Sequence, residues 1–232
     1  MKDYFRGEIH CHSTASDGAA TPGRLVRLAW RKGLRLLSVT DHDTFRGSDL
    51  ALRISHILAP RAPIILPGVE VRTDYGDILV YCPKPEPSFP NELLELREWA
   101  DSNGCILVAA HPFHYGRHAI GRRIYKVRHV LDGVEVWNSR GLPLLNLPAM
   151  RFAEKTGMPA TSGSDAHVPR ELAVSPTIFM CEPESAEEAL ECIRRGQVRP
   201  TLNLPRPAAL AEAAAWALLR RTGRAHSPVG RT

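Results

Sequence analysis

The stretch EIHCHSTASDG, residues 8–18, contains two histidines separated by a single residue and an aspartate five positions after the second. If this segment begins as a β-strand, the two-residue period of a strand places His10 and His12 on one face and Cys11 on the other. Asp17 follows in a Ser-Asp-Gly turn, from which its carboxylate can point back toward the imidazoles. A single buried histidine in a strand is commonly a hydrogen-bonded core residue. Two imidazoles on one face with a nearby carboxylate instead indicate a metal site.

Length and composition favour one large domain. The chain has 232 residues, of which 44% are hydrophobic and 24% charged, and α/β barrels of this size occur as single domains. The formal net charge of +5 favours anionic substrates without establishing nucleic-acid binding. We expect residues 1–205 to form a barrel domain and residues 206–232 to add a C-terminal helix and a mobile tail to the same domain.

The cysteines and the N-terminus predict a cytoplasmic protein without membrane contact. The five cysteines include no CxxC pair and are odd in number, which favours reduced thiols over a disulfide framework. The first residues, MKDYFRGE, contain no apolar signal core. No run in the sequence approaches the ~18 consecutive apolar residues that a membrane-spanning helix requires.

Predicted strands and helices alternate along almost the whole chain. Helix signals include Thr21 followed by Pro22, and the segment PIILPGVEV, residues 63–71, is interpreted as one buried strand. The segment 113–129 is predicted to be an irregular surface loop. Such alternation is typical of a mainly parallel sheet with covering helices. We therefore predict a closed or distorted barrel of about seven strands, with an open doubly wound sheet as the alternative.

Polar side chains suited to metal binding fall where the predicted strands end. They are His10, His12, Asp41, His42, Glu70, His111, Asn138, Asp165 and His167. In a parallel α/β barrel, the carboxyl ends of all strands share one face, and that face carries the active site. Residues far apart in sequence would therefore be collected into one pocket.

Five motifs carry a resemblance to a known family. They are HCHSTASDG, SVTDHDT, PGVEV, AAHP and GSDAH, and they extend from His10 to His167. In this order they resemble the four-part signature of the PHP superfamily, the polymerase and histidinol phosphatase group. A lone HxH pair is a weak signal, whereas five ordered matches are specific. The resemblance implies a distorted (β/α)7 barrel that hydrolyses phosphoesters at a metal centre at the C-terminal ends of its strands.

The resemblance also implies ligands for two or three divalent metal ions. The implied ligands of one metal, which would carry the catalytic step, are His10, His12, Glu70 and Asp165. Glu70 would bridge to a second metal, which also takes His111. Asp17, His42 and His167 resemble the ligands of a third metal.

Two features depart from the family pattern. Asp77 stands where the nucleotide-phosphatase branch usually has a histidine, and because Asp can ligate Mn²⁺, Fe²⁺ or Zn²⁺ we retain it as a ligand. The same branch carries an inserted helical segment between the positions of Glu70 and His111. The spacing here predicts a more open pocket.

The residue types suit phosphoester hydrolysis. The reaction needs a nucleophilic hydroxide at neutral pH and neutralisation of the charge that builds on the phosphoryl oxygens. Two cations ~3.5–4 Å apart supply both by holding a bridging hydroxide in line with the leaving oxygen, so a side-chain nucleophile is not required. Mixed His and carboxylate ligands suit Mn, Fe or Zn better than Mg.

Basic side chains just beyond the strand ends are the candidates for substrate binding. Arg117 and Arg140 could clamp a phosphate through bidentate hydrogen bonds, and His114 lies in the same loop as Arg117. The alternative interpretation is that each of these side chains is exposed to solvent and does not contact substrate. Asp41 is expected to orient a neighbouring ligand or to close its turn, and Glu135 to pair with an arginine rather than a metal.

The sequence favours one reaction class over others. It contains no GxSxG elbow, no P-loop and no GxGxxG after a strand. We expect hydrolysis of a phosphomonoester of a small metabolite or nucleotide by a metal-bridging hydroxide. The alternatives are a phosphodiesterase or exonuclease acting on short oligonucleotides, a histidinol-phosphatase-like enzyme, and a non-catalytic metal-binding regulatory module. Aromatic residues are only 6% of the chain, which disfavours a groove for nucleic acid.

Overall fold

The computed structural model describes residues 4–222, which contain ten strands in two five-stranded sheets. The strands are β1 (Phe5–Glu8), β2 (Leu36–Leu37), β3 (Ile64–Ile65), β4 (Gly68–Arg72), β5 (Asp77–Tyr81), β6 (Ile106–Ala109), β7 (Gly133–Asn138), β8 (Ala160–Gly163), β9 (Thr177–Phe179) and β10 (Val198–Arg199). The α-helices are α1 (Pro22–Arg31), α2 (Arg46–Leu58), α3 (Leu93–Asn103), α4 (Ile124–Val127), α5 (Leu147–Thr156), α6 (Ala186–Arg194) and α7 (Pro207–Arg221). The predicted tail lies outside the described residues.

The two sheets are both of mixed direction. The first has the order β10-β9-β1-β2-β3, with β1, β2 and β3 parallel and β9 antiparallel to both of its neighbours. The second has the order β4-β5-β6-β7-β8, antiparallel from β4 to β6 and parallel from β6 to β8. Isolated parallel bridges from Cys11 to Ala166 and from His42 to Glu70 join the two sheets. The α/β class is confirmed, whereas the residues described form two mixed sheets and not one continuous parallel barrel of seven strands.

Pro67 explains part of this difference. The segment predicted as one strand is divided at Leu66-Pro67 into β3 and β4, which belong to different sheets. Proline has no N–H to donate to a strand ladder, so the ladder is interrupted there. The Pro67 carbonyl instead accepts a hydrogen bond of 2.9 Å from the Cys82 amide, at the end of β5. The chain therefore passes from the first sheet to the second at this residue.

A tight turn sets the antiparallel part of the second sheet. The Thr73 amide donates to the Gly76 carbonyl at 3.1 Å, and the Thr73 hydroxyl donates to the same oxygen at 2.6 Å. So short a connection permits only antiparallel pairing, because a parallel pair needs a crossover of a dozen or more residues. Strand β5 accordingly pairs with β4 in the antiparallel direction.

The helix indicated by Thr21 and Pro22 is present and begins at Pro22. The Thr21 hydroxyl caps α1 by accepting a hydrogen bond from the Arg24 amide at 3.3 Å. Within the segment predicted as irregular, the chain instead forms α4 with short 3₁₀ turns at Gly121–Arg123 and Arg128–Val130. Another 3₁₀ turn, Pro143–Asn146, precedes α5.

Strands β4 to β6 are buried on both faces. Val69 and Ile78 belong to the core cluster beneath α3, while Leu79 and Tyr81 belong to the cluster shared with β1 and α6. The Tyr81 hydroxyl donates to the Ile9 carbonyl at 2.6 Å, which ties this inner face to the first sheet. Glu70 pairs with Leu79 in the antiparallel ladder and shares its face, so the inner face brings this carboxylate toward the end of β1.

Four of the five cysteines are paired. Cys82 is bonded to Cys105 and Cys181 to Cys192, so the expectation of reduced thiols is wrong for these residues, and Cys11 is a buried free thiol. Cys82 and Cys105 flank directly paired strands, β5 and β6, whose contact is not visible in CxxC spacing. Within residues 4–222, no helix combines the length and apolar character needed to cross a membrane.

Candidate metal centre

All nine residues predicted as metal ligands meet where the two sheets are bridged. They are His10, His12, Asp17, His42, Glu70, Asp77, His111, Asp165 and His167. Each belongs to at least one of four groups in which the potential ligand atoms lie within 4.8 Å of one another. The structure therefore brings together residues from both sheets and from loops far apart in the sequence, such as His10 and Asp165. Their roles as ligands remain a prediction.

The first predicted group is buried and contains nitrogen atoms without partners. His12 Nε2 lies 3.2 Å from Glu70 Oε2 and 3.3 Å from Asp165 Oδ1, and His10 Nε2 lies 3.4 Å from Glu70 Oε2. Within residues 4–222, His10 Nε2 and both His12 ring nitrogens make no hydrogen bond. Buried polar atoms normally have partners, and imidazole nitrogens facing carboxylate oxygens are donor atoms suited to a divalent transition metal. The residues present therefore fit such an ion.

Glu70 is placed to serve two groups at once. Its Oε1 lies 2.9 Å from His111 Nε2, whereas its Oε2 faces His10, His12 and His42. Asp77 Oδ2 lies 4.0 Å from His111 Nε2 and completes the second group. Burial, together with the charge of Glu70, raises the pKa of Asp77 above its usual value. A carboxylate with one oxygen toward each group is what the predicted bridging role requires.

Asp17 gathers the third group. Its Oδ1 lies 3.1 Å from His167 Nε2, 3.7 Å from His12 Nδ1 and 3.8 Å from His42 Nε2. His12 thus faces the third group through Nδ1 and the first through Nε2, a double placement that the family pattern did not suggest. Burial opposes ionisation of Asp17, but the hydrogen bond from His167 and the neighbouring histidines lower its pKa well below the usual value.

The charged side chains in the cluster of predicted ligands shift one another's pKa values strongly. Burial disfavours the charged form of His12, yet the adjacent carboxylates of Asp165 and Glu70 raise its pKa to about 10. Burial likewise opposes ionisation of Asp165, while Arg117 and His10 hold the pKa of that carboxyl well below its ordinary range. Where ionised carboxylates pack against imidazoles, metal cations can replace the protons on the ring nitrogens.

Glu135 orients the ring of His10 and holds the main chain of His111, a role that the sequence did not reveal. Its Oε1 lies 2.8 Å from His10 Nδ1, and its Oε2 accepts hydrogen bonds from the His111 amide at 2.8 Å and from Asn138 Nδ2 at 3.1 Å. The expected arginine partner is therefore replaced by a histidine. Carboxylates in this position fix the tautomer and direction of a ligating imidazole. The available signal was a glutamate inside an otherwise apolar strand, which must have a buried partner.

Asp41 organises the loop that carries Asp17. Its carboxylate accepts hydrogen bonds from the Ser13 amide at 2.7 Å, the Ser13 hydroxyl at 2.6 Å and the Ser16 hydroxyl at 2.5 Å. It was expected to orient a neighbouring ligand or to close its own turn. Instead it fixes the segment between His12 and Asp17.

Glu8 holds the loop that carries Asp165, a role that the sequence did not indicate. It is fully buried, and its carboxylate accepts hydrogen bonds from the amides of Ser164 at 3.0 Å and Ala173 at 3.0 Å, and from the Ser164 hydroxyl. Burial raises the pKa of Glu8 to about 7. This contact ties the end of β1 to the segment after β8.

The backbone at the ligands is constrained. His111 and Asp165 adopt φ angles of +27° and +48°, a region that non-glycine residues rarely occupy. At Gly163, a Cβ atom would lie 2.5 Å from both His10 Cβ and Glu135 Oε1. Glycine at this position is therefore needed for β8 to approach the imidazole.

The ligand groups open into a cavity of about 300 Å³. Its lining residues are His42, Glu70, Arg72, Asp77, His111, Gly116, Arg117, His118, Arg140, Asp165 and His167. Arg117 donates a hydrogen bond to Asp165 Oδ2, and Arg140 Nη1 lies 3.4 Å from the Asp165 carbonyl. Both arginines predicted to bind substrate thus lie at the cavity.

His114, the third residue predicted to bind substrate, is not brought into this cavity. Its side chain is buried, Nε2 lies 2.9 Å from Asn146 Oδ1, and its ring occupies the space where a side chain at Gly141 would lie. His118 and Arg72 line the cavity instead. The loop position of His114 did not reveal this burial.

Comparisons with known proteins agree with the site. The sequence profile of a family described as PHP-associated matches residues 143–198. A 5'-3' exoribonuclease of Haemophilus influenzae is 42% identical over 69 residues, which are 29% of this chain and 24% of the exoribonuclease. The chain therefore spans about a quarter of that relative.

Two solved structures share the fold. A two-domain protein from Bacteroides vulgatus, containing a predicted PHP-like metal-dependent phosphoesterase, superposes with a TM-score of 0.67 at 18% identity, covering 88% of this chain and 66% of that one. The lesion-specific endonuclease Endonuclease Q from Pyrococcus furiosus superposes with a TM-score of 0.60 at 18% identity, covering 86% of this chain and 58% of that one.

Fold and site together define an α/β protein of the PHP-like fold with clustered His, Asp and Glu side chains able to bind metal ions. The resemblance to the PHP superfamily is confirmed by the PHP-associated profile and by these structural neighbours. The three similar proteins described above are named as an exoribonuclease, a predicted phosphoesterase and an endonuclease, all of which are hydrolases of phosphate esters.

Proposed function

We propose that this protein is a metal-dependent phosphoesterase whose preferred substrate is a phosphomonoester of a small metabolite or nucleotide. The observation that carries the proposal is the convergence of the ligand groups on one cavity whose wall also holds Arg72, Arg117 and Arg140. Metal-binding side chains and phosphate-binding side chains then face the same space.

The chain offers ligands for two or three ions. His10, His12, Glu70 and Asp165 would hold one ion, Glu70 with Asp77 and His111 a second, and Asp17 with its neighbouring histidines a third. Mixed imidazole and carboxylate donors suit Mn, Fe or Zn. Bound ions of this kind would activate water and neutralise charge on the phosphoryl oxygens.

The protein's own side chains then position the substrate and the ligands. Arg117 and Arg140 present planar guanidinium groups that can hold phosphate oxygens through paired hydrogen bonds. Glu135 fixes the direction of His10, so that Nε2 points toward the ligand cluster. Burial of the ligand groups keeps bulk water away, which strengthens the electrostatic interactions inside.

The charge of the cavity wall favours a monoester over a diester. A phosphomonoester carries up to two negative charges near neutral pH, and three arginines line the cavity beside the metal ligands. A diester carries one negative charge and needs room for a second substituent. The cavity, of about 300 Å³, has room for a phosphate group.

The second candidate is a phosphodiesterase that acts at the end of a short nucleic acid. It is supported by the kinds of protein that this chain resembles, a 5'-3' exoribonuclease and the lesion-specific endonuclease Endonuclease Q. The net charge of +5 is compatible with such a substrate.

Turnover of paired substrates separates the two candidates. We expect metal-dependent release of 4-nitrophenol from 4-nitrophenyl phosphate at a higher kcat/KM than from bis(4-nitrophenyl) phosphate, with EDTA abolishing both. Nucleotides and histidinol phosphate follow as natural monoesters, and 5'-phosphorylated oligonucleotides as diesters. Turnover of diesters alone would select the second candidate. Bound metal without turnover of either class would overturn both and leave a non-catalytic metal-binding module.

A further inference from the structure

Helix α7 reaches the third ligand group through two hydrogen bonds to one residue. The Trp216 indole Nε1 donates to the Asp17 carbonyl at 2.9 Å, and Arg220 Nη1 donates to Asp17 Oδ2 at 2.5 Å. The partners are 199 and 203 positions apart in sequence. One bond holds the main chain of Asp17 and the other holds its carboxylate.

The two oxygens of Asp17 are used differently. Oδ1 faces His12, His42 and His167, whereas Oδ2 accepts the hydrogen bond from Arg220. A guanidinium group on one oxygen leaves the other free to bind a metal and fixes the plane of the carboxylate. A hydrogen-bonded partner of this kind orients a ligand from outside the coordination shell.

The same helix also contacts the loop of His167. Glu212 Oε2 accepts a hydrogen bond from the Arg170 amide at 3.3 Å and lies 3.7 Å from Arg170 Nε. The two ligand loops touch directly as well, because the Ala19 amide donates to the His167 carbonyl at 2.7 Å. Helix α7 therefore spans two loops that each supply a member of the third group.

Apolar packing contributes little to the attachment of α7. Ala209 is the buried residue of this helix, while Leu210, Leu218 and Leu219 are exposed. A helix that buries so little apolar surface depends on its specific polar contacts to stay docked. Two of those contacts end on Asp17, so the state of this ligand and the docking of the helix are physically linked.

We propose that α7 is a clamp on the third ligand group, with Arg220 as the positioning residue of Asp17, and that metal binding there and docking of α7 stabilise each other. The proposal rests on the metal centre of the proposed function. Reciprocity is required by linkage, because a contact that raises the affinity for metal must be strengthened to the same extent when metal binds.

The first test is the affinity of the third site in Arg220→Gln. Loss of an orienting partner weakens metal binding about 10- to 100-fold, and we expect about tenfold because the Arg220 side chain is 45% exposed. Titration with Mn²⁺ or Zn²⁺ against a chromogenic chelator should show one weakened site, with the tighter sites unchanged. Arg220→Lys keeps the charge and should restore part of the affinity.

A matched control lies at the next position. Arg221→Gln removes the same charge from α7, but successive helical residues point about 100° apart, so it should leave every site unchanged. If both variants weakened metal binding equally, the effect would come from the loss of net charge and not from the contact with Asp17, and the proposal would be wrong. Trp216→Phe keeps an aromatic ring at this position but removes the indole N–H donor. It should weaken the same site as Arg220→Gln.

The second test is hydrogen exchange in residues 207–221 with and without metal. We expect the amides of α7 to exchange more slowly when the third site is filled, and Arg220→Gln to reduce this protection. Unchanged exchange in α7 on filling all sites, or an unaltered third site in Arg220→Gln, would overturn the clamp while leaving the phosphoesterase proposal intact. A wild-type protein that binds no metal would overturn both.

Discussion

The substitution Glu135→Gln alters a contact that orients the predicted ligands but leaves all of the predicted ligands in place. In the native site, three groups face the carboxylate: His10 Nδ1 at 2.8 Å, the His111 amide at 2.8 Å and Asn138 Nδ2 at 3.1 Å. A glutamine offers one acceptor oxygen and an NH₂ donor, so at least one of these contacts becomes donor against donor. The site is buried, and water cannot easily compensate for the loss.

The expected cost follows from this geometry. Loss of the carboxylate partner of a metal-binding histidine reduces metal affinity about 10- to 100-fold. At about 1.4 kcal/mol for each factor of ten, this is ~1.4–2.8 kcal/mol of binding free energy. We expect kcat/KM for 4-nitrophenyl phosphate at limiting metal to fall by a similar factor.

The assay is competition between protein and a chromogenic chelator for Mn²⁺ or Zn²⁺, followed by turnover at limiting and at saturating metal. Glu154→Gln is the matched control, because Glu154 is exposed on α5. Circular dichroism confirms that both variants are folded. Native metal affinity in Glu135→Gln would refute the reasoning, since the orienting contact would then be dispensable.

The remaining predictions concern packing, a ligand, the substrate and a cross-link. Gly163→Ala places a methyl group against His10 and should cost about 1–3 kcal/mol in urea unfolding; unchanged stability together with unchanged metal content would contradict the packing described. Asp165→Asn should lose bound metal by elemental analysis and keep its far-UV circular dichroism. Arg117→Gln should weaken transition-state binding by about 1.5–3 kcal/mol in kcat/KM at saturating metal, whereas Arg151→Gln, an exposed change on α5, should not. Breaking the Cys82–Cys105 bond, which closes a separation of 23 residues, should cost about 3 kcal/mol, and a reductant without effect on urea unfolding would argue against the cross-link.

The placement of most ligands was predictable because they lie in or just after recognisable strands. His10 and His12 alternate in the segment just after β1, Glu70 lies within β4 and His111 follows β6, and all four reach the same region. Local patterns of this kind are visible in sequence. The turn residues of the loop with Asp17 are visible for the same reason.

The division into two sheets was harder to predict. It depends on the way one proline, Pro67, splits an apolar run that reads as a single strand, and on antiparallel pairing of β9 with β1. A run of apolar residues does not specify its neighbours or their direction. The pairing of Cys181 with Cys192 depends on the same contacts between elements.

The partners of the ligands were the least predictable part of the site. Glu135 contacts a histidine 125 positions away, and Arg220 contacts Asp17 across 203 positions. Such pairs arise only when the whole chain has folded. The burial of His114 is a similar case, since its loop gave no sign that the ring packs beside Gly141.

Elemental analysis of protein purified without added metal, paired with release of phosphate from 4-nitrophenyl phosphate, tests the central claim most directly. The account predicts two or more Mn, Fe or Zn ions per chain and turnover that a chelator abolishes and added metal restores. Less than one ion per chain, with no turnover after reconstitution with Mn²⁺, Fe²⁺ or Zn²⁺, would contradict it.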